Sequence, residues 1–149
     1  MTKEDKKLLF RYLSMALPYG VKCNIGLEFP LKLQSISVDM LDGILLDFFL
    51  TDIHYQVYLS EVKPYLRPLA SMTEEERTEI NTLIKQSSPS PCGEINLQGM
   101  DNLLYSVVVS SGFLIDWMLN KHFDIFDLIP KELAIAVTEE NNPYNTRKE

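Results

Sequence analysis

The chain has 149 residues, of which 46% are hydrophobic and 23% are charged. This composition is typical of a globular domain and excludes an extended disordered chain. The formal net charge is −7. Because an acidic protein repels phosphate backbones, we expect no general nucleic-acid binding.

The sequence predicts a cytoplasmic protein with no membrane association. Its longest apolar stretch, residues 43–50, is too short to cross a bilayer and contains Asp47. The apolar run and cleavage site of a signal peptide do not follow the basic N-terminus. Cys23 and Cys92 are therefore expected to stay reduced, and neither has a second cysteine at zinc-site spacing. We expect no metal and no cofactor.

The N-terminal segment has the pattern of a capped amphipathic helix. Thr2 can act as the N-cap, with Asp5 as its capping-box partner three residues later. Apolar residues then recur at helical spacing through residues 8–17. Pro18 and Gly20 are expected to end the helix, because proline cannot continue the hydrogen-bond ladder and glycine permits a positive φ.

Four short strands follow. Residues 21–29 alternate between apolar and polar side chains, which indicates a half-buried strand. Further strands are predicted at residues 32–38, 44–50 and 53–59. Tight turns between short strands favour a curled antiparallel meander, and by analogy a small SH3-like or Sm-like barrel.

The next elements are predicted to be a helix, a strand and another helix. Thr73 and Glu76 form a capping box at the start of a short, peripheral helix. Residues 103–109 are a β-branched run that predicts a strand. Ser110 or Ser111 is then expected to cap the next helix.

The fold class that these patterns predict is α+β, with an N-terminal helix, a curled antiparallel sheet and C-terminal helices packed on it. Asp124 is expected to cap a short helical turn, and residues 134–137 to return to the sheet. We predict a single globular domain of residues 1–138. Residues 139–149 are expected to form a polar, frayed C-terminal tail.

The chain also resembles a known family. The segments that carry the resemblance are LPYGVKC, VKPYLRPLASMTEEE, IDWMLNKHFD and LIPKELAI, at residues 17–23, 62–76, 115–124 and 128–135. They are similar to segments of a family of small proteins from gut anaerobic bacteria and their phages. The resemblance spans the whole chain, least closely at residues 86–104. It implies a phage or mobile-element setting and no particular activity.

One enzymatic pattern must be considered. Glu61, Val62 and Lys63 form a Glu-x-Lys motif that follows Asp47 and Asp52 along the chain. In metal-dependent nucleases of the restriction-enzyme type, such carboxylates hold Mg²⁺ and the lysine lies beside the attacking water. This nuclease is the alternative function, although Pro64 interrupts the motif at once and the acidic surface suits DNA cleavage poorly.

A second pattern indicates binding. Lys63, Tyr65 and Arg67 alternate with other residues in a segment that Pro64 and Pro68 hold extended. These three side chains could form an outward ridge that contacts a partner, or else the loop is structural and its charges are solvated. Trp117 is expected in the core, and His122 or Lys121 is expected to complement a helix dipole at its C-terminus.

The distribution of charge also favours binding. Residues 92–142 contain eight acidic residues and two lysines, a net charge of −6. Such a surface keeps a protein soluble, and it could also attract a basic partner or imitate DNA. Since the chain carries no nucleotide-binding or hydrolase motif, we predict a non-catalytic binding protein of a phage or mobile element. It would modulate a host or defence component by binding a host protein or a small nucleotide ligand. A homo-oligomer is also possible.

Overall fold

The computed structural model describes residues 1–39, 43–87 and 112–145. The first element is helix α1 (Lys3–Ala16), and the predicted capping box is confirmed. The Asp5 N–H donates to Thr2 Oγ1, and the Thr2 N–H donates to Asp5 Oδ2, each over 3.1 Å. A 3-10 turn and Gly20 at a φ of 70° end the helix, as the sequence predicts.

The strands form one six-stranded, curled sheet in the shape of a half-barrel. Its strands are β1 (Lys22–Asn24), β2 (Leu31–Val38), β3 (Ile44–Leu50), β4 (Ile53–Tyr58), β5 (Lys63–Leu66) and β6 (Ile135–Ala136). The order across the sheet is β4-β3-β2-β1-β5-β6, and every pair is antiparallel except β5 with β6. The predicted α+β class and four-stranded meander are confirmed. The closer likeness to an SH3-like or Sm-like barrel stays a prediction.

The first strand is shorter than predicted. It ends at Asn24, although apolar and polar residues alternate through residue 29. The Asn24 side chain accepts a hydrogen bond of 2.8 Å from the Gly26 N–H, and Gly26 adopts a φ of 92°. This local turn bends the chain out of the sheet, because a positive φ does not fit a strand.

Strand β5 is the element that the sequence did not predict. Its residues were interpreted as a proline-stiffened connection, yet they pair with β1 (Cys23 opposite Pro64) and with β6 (Tyr65 opposite Ile135). Pro64 lacks only one donor, and the extended backbone predicted for this segment is compatible with a ladder. The predicted return of residues 134–137 to the sheet is confirmed by β6.

Two further helices complete the described structure. Helix α2 (Glu74–Ser87) begins at the predicted Thr73 capping box, with bonds of 3.1 and 3.2 Å between Thr73 and Glu76. Helix α3 (Gly112–Asn120) follows. The strand predicted at residues 103–109 and the caps at Ser110 and Ser111 lie outside the described residues.

After α3, the described chain contains the turn that Asp124 was predicted to cap. The Asp124 carboxylate accepts hydrogen bonds from the N–H groups of Leu128 and Ile129, at 2.8 and 2.9 Å. In residues 112–145, α3 is the one helix. The core lies between α1, the concave side of the sheet, α3 and this turn. Within the described segments, no helix is long and apolar enough to cross a membrane.

The segment predicted as a frayed tail contacts the domain as far as it is described. The Tyr144 hydroxyl accepts a hydrogen bond from the Lys22 N–H (2.9 Å) and donates one to the Tyr65 carbonyl (2.8 Å). The Lys22 ammonium also donates to the Pro143 carbonyl over 2.8 Å. The tail therefore joins β1 to β5, and the boundary at residue 138 stays a prediction.

Replacing Tyr144→Phe is expected to lower the free energy of unfolding by about 1–3 kcal/mol, because it removes the hydroxyl's hydrogen bonds to the Lys22 N–H, the Tyr65 carbonyl and, at 3.4 Å, the Lys22 carbonyl. Tyr58→Phe is the matched control, since that hydroxyl is half exposed and makes a single longer bond of 3.2 Å to Asp39. Urea unfolding measures both. Equal losses would mean that residues 139–145 do not stabilise the domain.

Candidate functional site

The structure places the predicted ridge on one side of β5. Lys63 is exposed and Tyr65 is half-buried, whereas Pro64 and Leu66, which alternate with them along the strand, are buried. Arg67 follows the strand and is half-buried, with its guanidinium over the Phe123 ring. The alternation that the sequence predicted is therefore present.

Arg67 uses its donors within the molecule. Its guanidinium makes a bidentate ion pair with Glu76, with N–O distances of 2.8 and 2.9 Å. It also lies 4.3 Å from the centre of the Phe123 ring. Burial opposes ionisation of Glu76, but the hydrogen bonds from Arg67 and from the Thr73 backbone outweigh it and lower the pKa of that carboxyl. The ion pair therefore connects the segment after β5 to the first turn of α2.

The other two ridge residues are engaged to different degrees. The Tyr65 carbonyl accepts from Tyr144, and its hydroxyl accepts a long bond of 3.4 Å from the Asn24 side chain. Lys63 is the most exposed of the three. A partner-binding role for Lys63, Tyr65 and Arg67 stays a prediction. Arg67 can offer a partner little contact area, because 20% of its side chain is exposed.

The residues of the nuclease alternative are distributed over the sheet. Asp47 lies in β3, where its carboxylate accepts hydrogen bonds from Ser35 (2.8 Å) and Gln56 (2.9 Å) and lies 2.7 Å from His54 Nε2. Burial opposes its ionisation, but the hydrogen bonds from His54, Ser35 and Gln56 outweigh it and lower the pKa of Asp47. Asp52 lies in the turn between β3 and β4.

Glu61 and Lys63 do not share a strand next to Asp47. Glu61 ends a 3-10 turn and accepts a hydrogen bond of 3.1 Å from the Tyr58 N–H. Lys63 lies in β5, and β1 and β2 separate that strand from β3. In the described part of the chain, no group of three His, Cys, Asp or Glu residues could hold a metal ion. The nuclease using Asp47, Asp52, Glu61 and Lys63 stays a prediction for which these residues provide no shared site.

The structure reveals a groove that the sequence did not predict. It has a volume of about 410 Å³, which is in the range of ligand sites. It lies between α2, α3 and the 3-10 turn that follows α1. Its lining residues are Tyr19, Glu79, Leu83, Asp116, Trp117 and Asn120.

Two aromatic donors position the two carboxylates of this groove. The Tyr19 hydroxyl donates to Asp116 Oδ1 over 2.7 Å, and the Trp117 indole N–H donates to Glu79 Oε1 over 2.9 Å. The hydrogen bond to Asp116 raises the pKa of Tyr19, so its hydroxyl stays protonated at neutral pH. None of the six lining residues is basic. The ammonium group of Lys121 lies nearby, 5.9 Å from the centre of the Trp117 ring.

Trp117 was predicted to be a core residue, and this is half correct. One side of its indole stacks on Phe123 at 6.0 Å, whereas the rest lines the groove. The spacing of Glu79 with Leu83, and of Asp116 with Asn120, puts each pair on one helix face. The sequence contains that signal, but it does not show that the two faces meet.

His122 lies beside the Arg67 pair and is neutral near pH 7, which corrects its predicted role as a protonated group at a helix C-terminus. Its ring stacks on Tyr144 at 3.7 Å. Burial, together with the charges of Arg67 and Lys22, lowers its pKa to about 4. The Nδ1 atom is buried and makes no hydrogen bond with any described residue.

Comparison with protein-family models, with curated proteins and with solved structures finds no match to this chain. The geometry described above is therefore the basis for a functional proposal.

Arg67→Ala is expected to cost about 2–3 kcal/mol of unfolding free energy, because it leaves the largely buried Glu76 carboxylate without its partner. Lys63→Ala changes an exposed side chain of β5, the strand that precedes Arg67, and should cost less than about 0.5 kcal/mol. Chemical denaturation of the two variants tests this. Similar values for both would show that the Arg67 ion pair contributes little to stability.

Acid should destabilise the protein through His122. Above pH 6.5 the ring is neutral in both the folded and the unfolded chain. Between about pH 6.5 and 4 the unfolded chain takes up a proton that the folded chain does not, so stability falls as the pH falls. His122→Asn, which tolerates the φ of 62° at this position, should show a shallower dependence in this window. An unchanged slope would contradict the buried neutral ring.

Proposed function

We propose that the protein is a non-catalytic binding protein that recognises a basic side chain of a partner protein in the groove between α2 and α3. The observation that carries the proposal is the pair of carboxylates, Glu79 and Asp116, each fixed by an aromatic hydrogen-bond donor at the wall of an open groove. Both acids are exposed, so a ligand can reach them from solvent.

The groove suits the side chain of lysine or arginine. The rings of Tyr19 and Trp117 and the side chain of Leu83 provide apolar surface for the methylene stem. The carboxylates accept one hydrogen bond each from the aromatic donors, and a carboxylate has capacity for several more. A guanidinium with its planar set of donors can bind a carboxylate more effectively than an ammonium can.

Charge supports the same class of partner. The whole chain carries −7, which accelerates the approach of a basic protein and repels an anionic one. A small nucleotide, the other ligand that the sequence left open, would place its phosphates against Glu79 and Asp116. In the phage or mobile-element setting that the family resemblance implies, the partner would be a host or defence protein in the cytoplasm.

The groove supports binding better than catalysis. The Tyr19 hydroxyl donates to Asp116 and keeps its proton, so it is a hydrogen-bond donor and not a nucleophile. The remaining lining residues provide carboxylates, an amide and apolar surface. We therefore assign Glu79 and Asp116 as ligand-binding residues, with Tyr19 and Trp117 as the residues that position them.

The test is calorimetric titration with a capped peptide that carries one arginine between aliphatic residues. We expect saturable binding that the double variant Glu79→Gln with Asp116→Asn weakens about ten-fold or more, since each lost charge pair is worth about 1 kcal/mol. A peptide with glutamine in place of arginine should bind the native protein equally weakly.

The control removes the same number of negative charges from a site outside the groove. Glu139→Gln with Glu140→Gln removes two exposed acids outside the groove, and this variant should bind the arginine peptide almost as tightly as the native protein. An equal loss in both double variants would show that only the overall negative charge attracts the peptide. No difference between the arginine and glutamine peptides would also refute the proposal.

A further inference from the structure

A second surface lies at the edge of the sheet and shares no residue with the groove. Strand β4 pairs with β3 on one side, and no strand of the described chain pairs with its other side. Natural edge strands are usually protected by lysine, proline, a bulge or a covering segment. The sequence of β4, IHYQVY, contains no lysine, proline or acidic residue.

Apolar side chains are concentrated around this edge. Among the described residues, seven large hydrophobic side chains are exposed, and five of them lie on β4 or at the adjoining ends of β2 and β3. These five are Val38, Phe49, Leu50, Ile53 and Tyr58, with exposed fractions between 37% and 64%. Leu50 and Ile53 share the face of Tyr55 and Val57, whereas Phe49 and Tyr58 lie on the opposite face. An edge strand with exposed apolar side chains is a template for pairing with another chain.

The backbone geometry shows which residues face the uncovered side. Thr51 and Asp52 form a two-residue connection, and Leu50 pairs with Ile53 across it. In such a hairpin the closing pair exchanges both hydrogen bonds, and bonded pairs then alternate along the ladder. Ile53, Tyr55 and Val57 therefore bond to β3, and the N–H and C=O groups of the residues between them point outward.

One hydrogen bond confirms this alternation and limits the free edge. The Tyr58 N–H points outward and donates to the Glu61 side chain over 3.1 Å. Glu61 therefore occupies the outward donor at the C-terminal end of β4. The remaining outward backbone groups on the strand belong to His54 and Gln56.

Two such edges are complementary to each other. A two-fold axis perpendicular to the sheet keeps the core faces of both copies on the same side. Residues that lie opposite one another must then point to the same face, so their numbers are both odd or both even. If the axis passes through Tyr55, His54 of one copy lies opposite Gln56 of the second copy. This register uses both pairs of outward groups and forms four backbone hydrogen bonds. An axis through Gln56 would instead place His54 opposite Tyr58, whose N–H already bonds to Glu61.

The side chains also fit the register through Tyr55. Ile53 lies opposite Val57 of the second copy, and the two Tyr55 rings lie side by side, which are pairs that stabilise antiparallel sheets. No acidic residue of β4 meets another, because the strand has none. We propose that two copies of this chain form a dimer in which their β4 strands pair antiparallel about a two-fold axis through Tyr55.

Cysteine cross-linking tests both the dimer and its register. Residues opposite one another in a non-hydrogen-bonded pair are about 4.5 Å apart at Cα, which permits a disulfide. In a background with Cys92→Ser, Tyr55→Cys should form a covalent dimer under mild oxidation. Cys23 does not compete, since it is fully buried. Gln56→Cys and the exposed Glu140→Cys should cross-link at least about ten-fold more slowly, because neither residue lies opposite the same residue of the second copy.

Sedimentation equilibrium provides an independent measurement that needs no change at Tyr55. The native chain should be a dimer whose dissociation constant falls with added salt, because salt screens the repulsion between two copies that each carry −7. Gln56→Pro removes an outward donor and keeps the backbone ladder with β3, at the cost of the side-chain bond to Asp47. It should shift the equilibrium to monomer while thermal unfolding confirms the fold. A native monomer at millimolar concentration, an unaffected Gln56→Pro dimer, or faster cross-linking through Gln56→Cys than through Tyr55→Cys would each overturn the proposal.

Discussion

The structure depends most on the contacts of Arg67, which connect three separate parts of the chain. The backbone of Arg67 bonds to the segment after α3, through His122 O (2.8 Å) and Asp124 N–H (2.9 Å). Its side chain binds Glu76 in the first turn of α2 and covers the Phe123 ring. Because the guanidinium is planar and held at two points, it fixes the orientation of these segments as well as their distance.

This arrangement also builds the groove. Glu76 and Glu79 lie one turn apart on α2, so the ion pair that holds Glu76 brings Glu79 close to α3. On the other side, Phe123 lies between Arg67 and Trp117, and its ring stacks on the indole. The hydrogen bond between Trp117 and Glu79 joins the two sides. The groove proposed as a binding site is therefore positioned by Arg67, which does not line it.

The parts of the fold that sequence analysis predicted are those with local signals. The capping boxes at Thr2 and Thr73 act over three residues, and the nearly continuous apolar run in residues 44–50 identifies β3 without any partner strand. The missed features depend on contacts between distant residues. The pairing of Pro64 with β1 was not predicted because nothing local shows that β1 lies beside it, and Tyr144 is separated from Lys22 by most of the chain.

The candidate site was missed for the same reason. Each acid of the groove has an ordinary helical neighbourhood, and its partner lies on another element: Tyr19 is 97 positions from Asp116, and Glu79 is 38 positions from Trp117. The ridge of Lys63, Tyr65 and Arg67 was found because its signal is local. Its strongest hydrogen-bonding group, the Arg67 guanidinium, is directed inward by Glu76, which the sequence places nine residues away.

Trp117 is the only tryptophan in the chain, so its indole N–H provides a single nuclear magnetic resonance signal from the groove. Titration of the ¹⁵N-labelled protein with N-acetyl-arginine amide tests the account most directly. We predict a saturable shift of this indole resonance, and none with the uncharged citrulline analogue. An indole signal that does not respond, while the amides of Lys63 and Tyr65 shift, would contradict the account and place the binding site on β5.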